Sequence, residues 1–106
     1  MSCSTCHDPD KGFSDGLAKS IGIDGSNVER SAPGLWNIAY LRSFFWDARA
    51  HSLEEQMKGP LYSENEMGNT PENLIVTLNS IPEYKKLFVN AFPGMGEKID
   101  LEEVYT

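Results

Sequence analysis

Cys3-Ser4-Thr5-Cys6-His7 holds the only two cysteines of the chain and one of its two histidines. Two thiols at this spacing can add across the two vinyl groups of a porphyrin, and the adjacent imidazole can bind the iron from one face. Five residues thus supply what covalent attachment of one c-type haem needs, with His7 as the proximal iron ligand. Two other chemistries use similar residues. A structural zinc site wants four ligands at compact spacings, and the second histidine, His51, stands far along the chain. A dithiol redox centre is expected beside a βαβ pattern, and no alternation of strand and helix signals follows here. Haem attachment is the stronger reading. Because the run begins at residue 3 with no leader before it, a mature or trimmed chain is expected, or one that has lost preceding sequence.

Outward from this run, residues 8–34 are rich in Gly, Asp, Ser and Pro and carry no sustained 3.6-residue periodicity. They predict a long ordered loop after a short helical turn that bears the cysteines. Loops of this length in compact domains are usually functional or disordered, and one wrapping a cofactor edge belongs to the first group. Helix signals come later. Ser52-Leu53-Glu54-Glu55 fits a capping box, and the helix it opens should stop near Met57 or Lys58, before Gly59-Pro60. Thr70-Pro71-Glu72 starts a second helix, to about Leu78, with Leu74, Ile75 and Leu78 on one side. Pro82 opens a third, with Tyr84, Leu87, Phe88 and Ala91 at helical spacing, ended by Phe92-Pro93-Gly94. Asp100-Leu101-Glu102-Glu103 begins a fourth. No strand pattern competes, so the expected class is all-α with long ordered loops, in one domain over residues 1–106.

The chain has 106 residues, small for burying a core unaided, and a covalently held porphyrin would add a large apolar body. Nine basic against sixteen acidic side chains give a formal charge of −7. That excludes the basic footprint nucleic-acid binding requires, and suits docking of a small basic redox partner. No apolar run approaches the length of a membrane span. Covalent haem attachment is completed outside the cytoplasm, so a periplasmic location is expected.

The blocks Arg30-Ser31-Ala32-Pro33-Gly34-Leu35-Trp36-Asn37, Phe45-Trp46-Asp47-Ala48-Arg49-Ala50 and Ser52-Leu53-Glu54-Glu55-Gln56 follow the CxxCH and Ser20-Ile21-Gly22. Gly59-Pro60 and Glu66-Met67 come next. In this order they resemble the N-terminal haem domain of the bacterial di-haem cytochrome c peroxidases. The di-haem enzymes that mature tryptophan tryptophylquinone belong to the same superfamily. The resemblance covers Cys3 to about Pro93. It implies a cytochrome c-like haem domain in which Cys3 and Cys6 form the thioethers and His7 binds iron. It further implies that hydrogen peroxide is reduced to water at this haem, with Gln56 and Glu66 as the polar pair of the distal pocket. Trp46 falls on the tryptophan lying between two haems, and Pro60 on a proline of the pocket wall. Electrons would come from a small cytochrome c or cupredoxin through a second haem domain.

Ile23 stands where many relatives carry a distal histidine, so an iron open to peroxide is expected. Ser31 replaces an Asn that often contributes to a calcium site, which speaks against calcium. No second CxxCH is present, and helices expected before residue 3 and after Asp100 are absent or cut short. The reading is therefore of a partial domain, truncated at both terminal helices, with a haem edge prone to association into oligomers. Trp36 reads as a core aromatic, His51 as a surface residue, and Arg30 and Arg49 as surface arginines or partners of haem propionates. Two alternatives remain open. One is a mono-haem electron carrier with Met57, Met67 or Met95 as sixth ligand. The other is a remnant that performs no catalysis.

Overall fold

The cysteine run forms a single helical turn, α1 (Cys3–Cys6), in which the Thr5 hydroxyl accepts the Ser2 N–H at 3.2 Å. Cys3 and Cys6, three residues apart, share one face of that turn, and the His7 N–H donates to the Cys3 carbonyl at 2.9 Å. The computed structural model describes residues 1–106, whose contacts divide into two compact units, Met1–Gly68 and Asn69–Thr106. The elements are helical, joined by loops and three isolated bridges.

Those bridges organise the first unit. Asp8 pairs with Ser14, Ile21 with Asn27, and Phe44 with Ala50, each pair closing a five-residue loop. The predicted long loop over residues 8–34 is thus ordered by local clasps. Ser14 Oγ donates to the Ala32 carbonyl at 2.8 Å, and buried Ser20 Oγ accepts the Ala32 N–H at 3.0 Å, tying the first two clasps to one backbone segment. The buried apolar residues of this unit are only Val28, Phe44 and Ala50. So small a core leaves no place for Trp36, which is 70% exposed and packs edge-on against Phe13, correcting its reading as a core aromatic.

Helix α2 (Leu53–Tyr62) starts where its cap predicts, with Ser52 Oγ accepting the Glu55 N–H at 3.1 Å. The reciprocal bond lands one residue further out: Glu55 Oε2 accepts from the His51 N–H at 2.8 Å. The helix does not stop before Gly59-Pro60, as expected, but continues through both. Pro60 forfeits the hydrogen bond to the Gln56 carbonyl. The turn is nevertheless held, because the Ser63 N–H reaches Gly59 and the Met67 N–H reaches Pro60, at 2.9 and 3.1 Å. Gly59 is there for space: a Cβ at this position would lie 2.7 Å from Phe45 Cζ. Close packing of a distant aromatic, and not chain termination, explains this glycine.

The second unit holds α3 (Pro71–Ser80), α4 (Pro82–Ala91) and α5 (Leu101–Tyr105). Thr70 and Asp100 cap the first and last of these as predicted, and α3 extends two residues beyond Leu78. Ile99, 1% exposed, is its most buried residue. The Asn79 side chain clamps the Ile99 backbone, donating to its carbonyl at 2.8 Å and accepting its N–H at 3.1 Å.

Candidate functional site

His7 is oriented by an acceptor that the sequence did not signal. Its Nδ1 lies 2.9 Å from the Phe13 carbonyl oxygen. A carbonyl only accepts, so Nδ1 is the donor, and in the neutral ring the lone pair then falls on Nε2, the arrangement of a metal-ligating imidazole. The carbonyl is aimed by two successive left-handed residues, Gly12 at φ 66° and Phe13 at φ 60°. For a residue with a side chain this conformation costs roughly 1–2 kcal/mol. The Asp8–Ser14 clasp and the Phe13–Trp36 ring contact, 5.4 Å between centroids, hold it in place.

Cys3 is exposed, Cys6 half-buried, and both are free thiols. Burial pushes the Cys6 thiol above its ordinary range, and the negative charges of Asp15 and Glu66 push it the same way. Asp15 is itself buried. Its Oδ1 accepts the Leu17 N–H at 2.9 Å, whereas Oδ2 has no hydrogen-bond partner. Although burial opposes ionisation of Asp15, the nearby Ser20 hydroxyl and the Leu17 N–H outweigh it and hold the carboxyl below its usual range.

The residues expected across the iron come from α2 and the turn after it. Gln56 and Pro60 stand one helical turn apart on α2, both half-buried. Glu66 occupies the following turn, its N–H on the Ser63 carbonyl at 3.0 Å, with the next N–H, of Met67, on Pro60. The Ile23 N–H donates to the Glu66 carbonyl at 2.9 Å. Ile23, Pro60 and Glu66 thus share one backbone network, and Glu66 also lies close enough for its charge to act on Cys6. Burial raises the Glu66 carboxyl, while the Arg49 guanidinium draws it back.

Trp46 is 74% exposed, in the clasp between Phe44 and Ala50. Arg30 and Arg49 are exposed, as expected of surface arginines, and both meet Asp47, at 3.5 and 2.8 Å. His51 is exposed, as expected of a surface residue. Met57 and Met67 lie in the unit that holds His7, and Met95 in the other. No group of three or more His, Cys, Asp or Glu side chains could hold a metal ion, so zinc has no ligand set.

A c-type haem fits the residues present. The two thiols on one helical face are unpaired, a neutral His7 with its proton on Nδ1 leaves Nε2 available, and a core of only Val28, Phe44 and Ala50 leaves apolar surface to be covered. Leu17, Ile21 and Ile23 are 42–53% exposed in this unit. No helix is long and apolar enough to cross a membrane.

Comparison with known proteins agrees. The chain is 38% identical to cytochrome c551 peroxidase of Pseudomonas aeruginosa over 98% of its own length and 30% of the relative's. It is equally similar to the methylamine utilization protein MauG of Methylorubrum extorquens, covering 98% of this chain and 29% of that protein. The chain thus spans about a third of the length of these relatives. Among solved structures, a MauG-like protein associated with microbial copper homeostasis superposes with a TM-score of 0.88 at 30% identity, over 99% of this chain and 32% of that one. The di-haem peroxidase BthA of Burkholderia thailandensis gives 0.84 at 28% identity, over 99% and 30%. The sequence model of the di-haem cytochrome c peroxidases matches residues 1–106, and the all-α, cytochrome c-like chain belongs to that family of haem-dependent oxidoreductases.

Proposed function

We propose that this chain binds one haem c through Cys3, Cys6 and His7 and supports reduction of hydrogen peroxide to two waters. The observation that carries the reading is the half-buried Glu66, whose carboxyl burial raises, in a turn pinned to Ile23 and Pro60. The bound haem supplies the redox-active iron. His7 would hold the iron through Nε2, its Nδ1 being engaged by the Phe13 carbonyl.

Breaking the O–O bond requires one oxygen to lose a proton and the other to gain one, with two electrons and two protons consumed overall. Glu66 accepts the first proton and returns it to the leaving oxygen, a shuttle that a raised carboxyl pKa favours. Gln56 orients peroxide by hydrogen bonding without adding charge. Pro60 would shape the pocket wall, and Ile23 offers no atom that could ligate a metal. Trp46 provides an aromatic step for the incoming electrons. Their source is a small cytochrome c or cupredoxin, reaching this domain by way of a second haem, in the periplasm. No calcium site is proposed at Ser31.

The test is the haem-loaded chain, produced with the haem-attachment machinery. The reading expects a mass increase of one haem, a high-spin ferric spectrum, and a spectral change on adding peroxide. A low-spin His/Met spectrum would instead support an electron carrier, and absence of a Soret band a remnant.

A further inference from the structure

The most over-determined geometry beyond the haem-binding and distal-pocket residues is the loop 45–49. Its ends are the buried pair Phe44 and Ala50, joined by N–H···O bonds of 2.8 and 3.4 Å. Inside it, Phe45 at φ 66° and Ala48 at φ 57° are both left-handed, and neither is glycine. Such residues persist only where the surroundings enforce them.

What enforces them is Arg49. Its guanidinium donates to both Asp47 carboxylate oxygens, at 2.8 and 3.0 Å, and lies 3.4 Å from the centre of the Phe45 ring. Asp47 is held by a second cation, Arg30, at 3.5 Å. The Phe45 ring also rests on Gly59 of α2, three residues beyond Gln56, where a methyl group would meet it at 2.7 Å. The residues on either side of Trp46 are therefore gripped by one side chain, and that grip is anchored to the helix that carries Gln56. Both bonds to Asp47 come from Nη1, so the planar guanidinium stacks on the ring while a single nitrogen meets the carboxylate.

We propose that Arg49 is a positioning residue for Trp46: it clamps Phe45 and Asp47 so that the exposed indole between them keeps one orientation relative to α2. The proposal rests on the reading above only in giving Trp46 and Gln56 a part in the reaction; the clamp itself is a matter of geometry.

The haem-loaded chain labelled with 5-fluorotryptophan would show two fluorine resonances, from Trp36 and Trp46, assigned through Trp36→Phe. Arg49→Lys keeps the charge but loses the planar face that stacks on Phe45, and Arg49→Met keeps only the stem. Both should cost the single sharp Trp46 resonance, by splitting or broadening, while the Trp36 resonance stays put. Gly59→Ala, which presses on the far side of the Phe45 ring, should do the same if the arginine variants fail to fold. A sharp, unshifted Trp46 resonance in a folded Arg49→Met or Gly59→Ala protein overturns the proposal, as does equal disturbance of both tryptophans. Because the signal is read without peroxide, failure of the peroxidase reading would leave this result unaffected.

Discussion

Gly22 sits where the 21–27 clasp lies against the turn carrying Glu66, and it should be the most sensitive glycine in the protein. A Cβ built there would lie 3.0 Å from the Asn65 carbonyl carbon and closer still to its oxygen. Both sides of this contact are backbone, so no side chain can swing away. Gly22 does not occupy the left-handed region, so Gly22→Ala introduces a steric conflict and no dihedral one. Overpacking of this kind costs about 1–3 kcal/mol. Relief must come from separating the clasp from the Glu66 turn, which stretches the 2.9 Å bond from Ile23 N–H to the Glu66 carbonyl. A displacement on the order of 1 Å at a reacting group costs about 10²-fold in rate. The assay is stopped-flow mixing of haem-loaded protein with peroxide, beside a thermal melt. Gly25→Ala is the control: at φ 83° with nothing within 4 Å, it strains the same clasp without pushing on Glu66. Its cost is roughly 1–2 kcal/mol of backbone strain. Gly22→Ala should lose rate and stability, and Gly25→Ala stability alone. A folded Gly22→Ala protein reacting at the wild-type rate would refute the reasoning, as would an equal loss in Gly25→Ala.

Three further outcomes follow from burial and titration. Burial raises the Glu66 carboxyl in the folded protein, so its contribution is fully present below the ordinary glutamate pKa of about 4.3 and is lost as pH rises through the folded value. Glu66→Gln should therefore melt with the wild type in acid and above it at neutral pH; parallel melting curves at every pH would contradict this. Asp15 has the opposite sign, since its carboxyl is held low: Asp15→Asn should melt lower at neutral pH, the deficit closing as pH falls through the folded Asp15 value. Ile99→Ala removes the most buried side chain of the second unit and should cost about 2–5 kcal/mol. Hydrogen exchange should report that loss in α3 and α5 before it reaches the Phe44–Ala50 clasp.

The parts legible in the sequence are those governed by near neighbours. Ser52, Thr70 and Asp100 announce helix starts because a cap bonds to the turn immediately following it, and Pro82 because its fixed φ suits a first helical position. CxxCH is equally local, and the Ser20-Ile21-Gly22 and Glu66-Met67 blocks were marked out by their order along the chain. What failed depended on distant residues. Gly59-Pro60 looks like a stop until Phe45 is known to pack on it. Trp36 looks like core until the core proves too small to take it. The Phe13 carbonyl that fixes the His7 tautomer was invisible, because nothing in a Gly-Phe-Ser run reveals a left-handed phenylalanine. Arg49 is the surface arginine expected, but its contacts with Phe45 and Asp47 were not legible, because they depend on a loop whose closure no local rule predicts.

The most direct test of the central claim is the second-order rate of peroxide reaction in haem-loaded Glu66→Gln, compared with wild type at equal haem content. Proton shuttling by Glu66 predicts a fall of about 10²–10⁴-fold with the ferric spectrum retained. An unchanged rate in a protein that carries its full complement of haem would contradict the account.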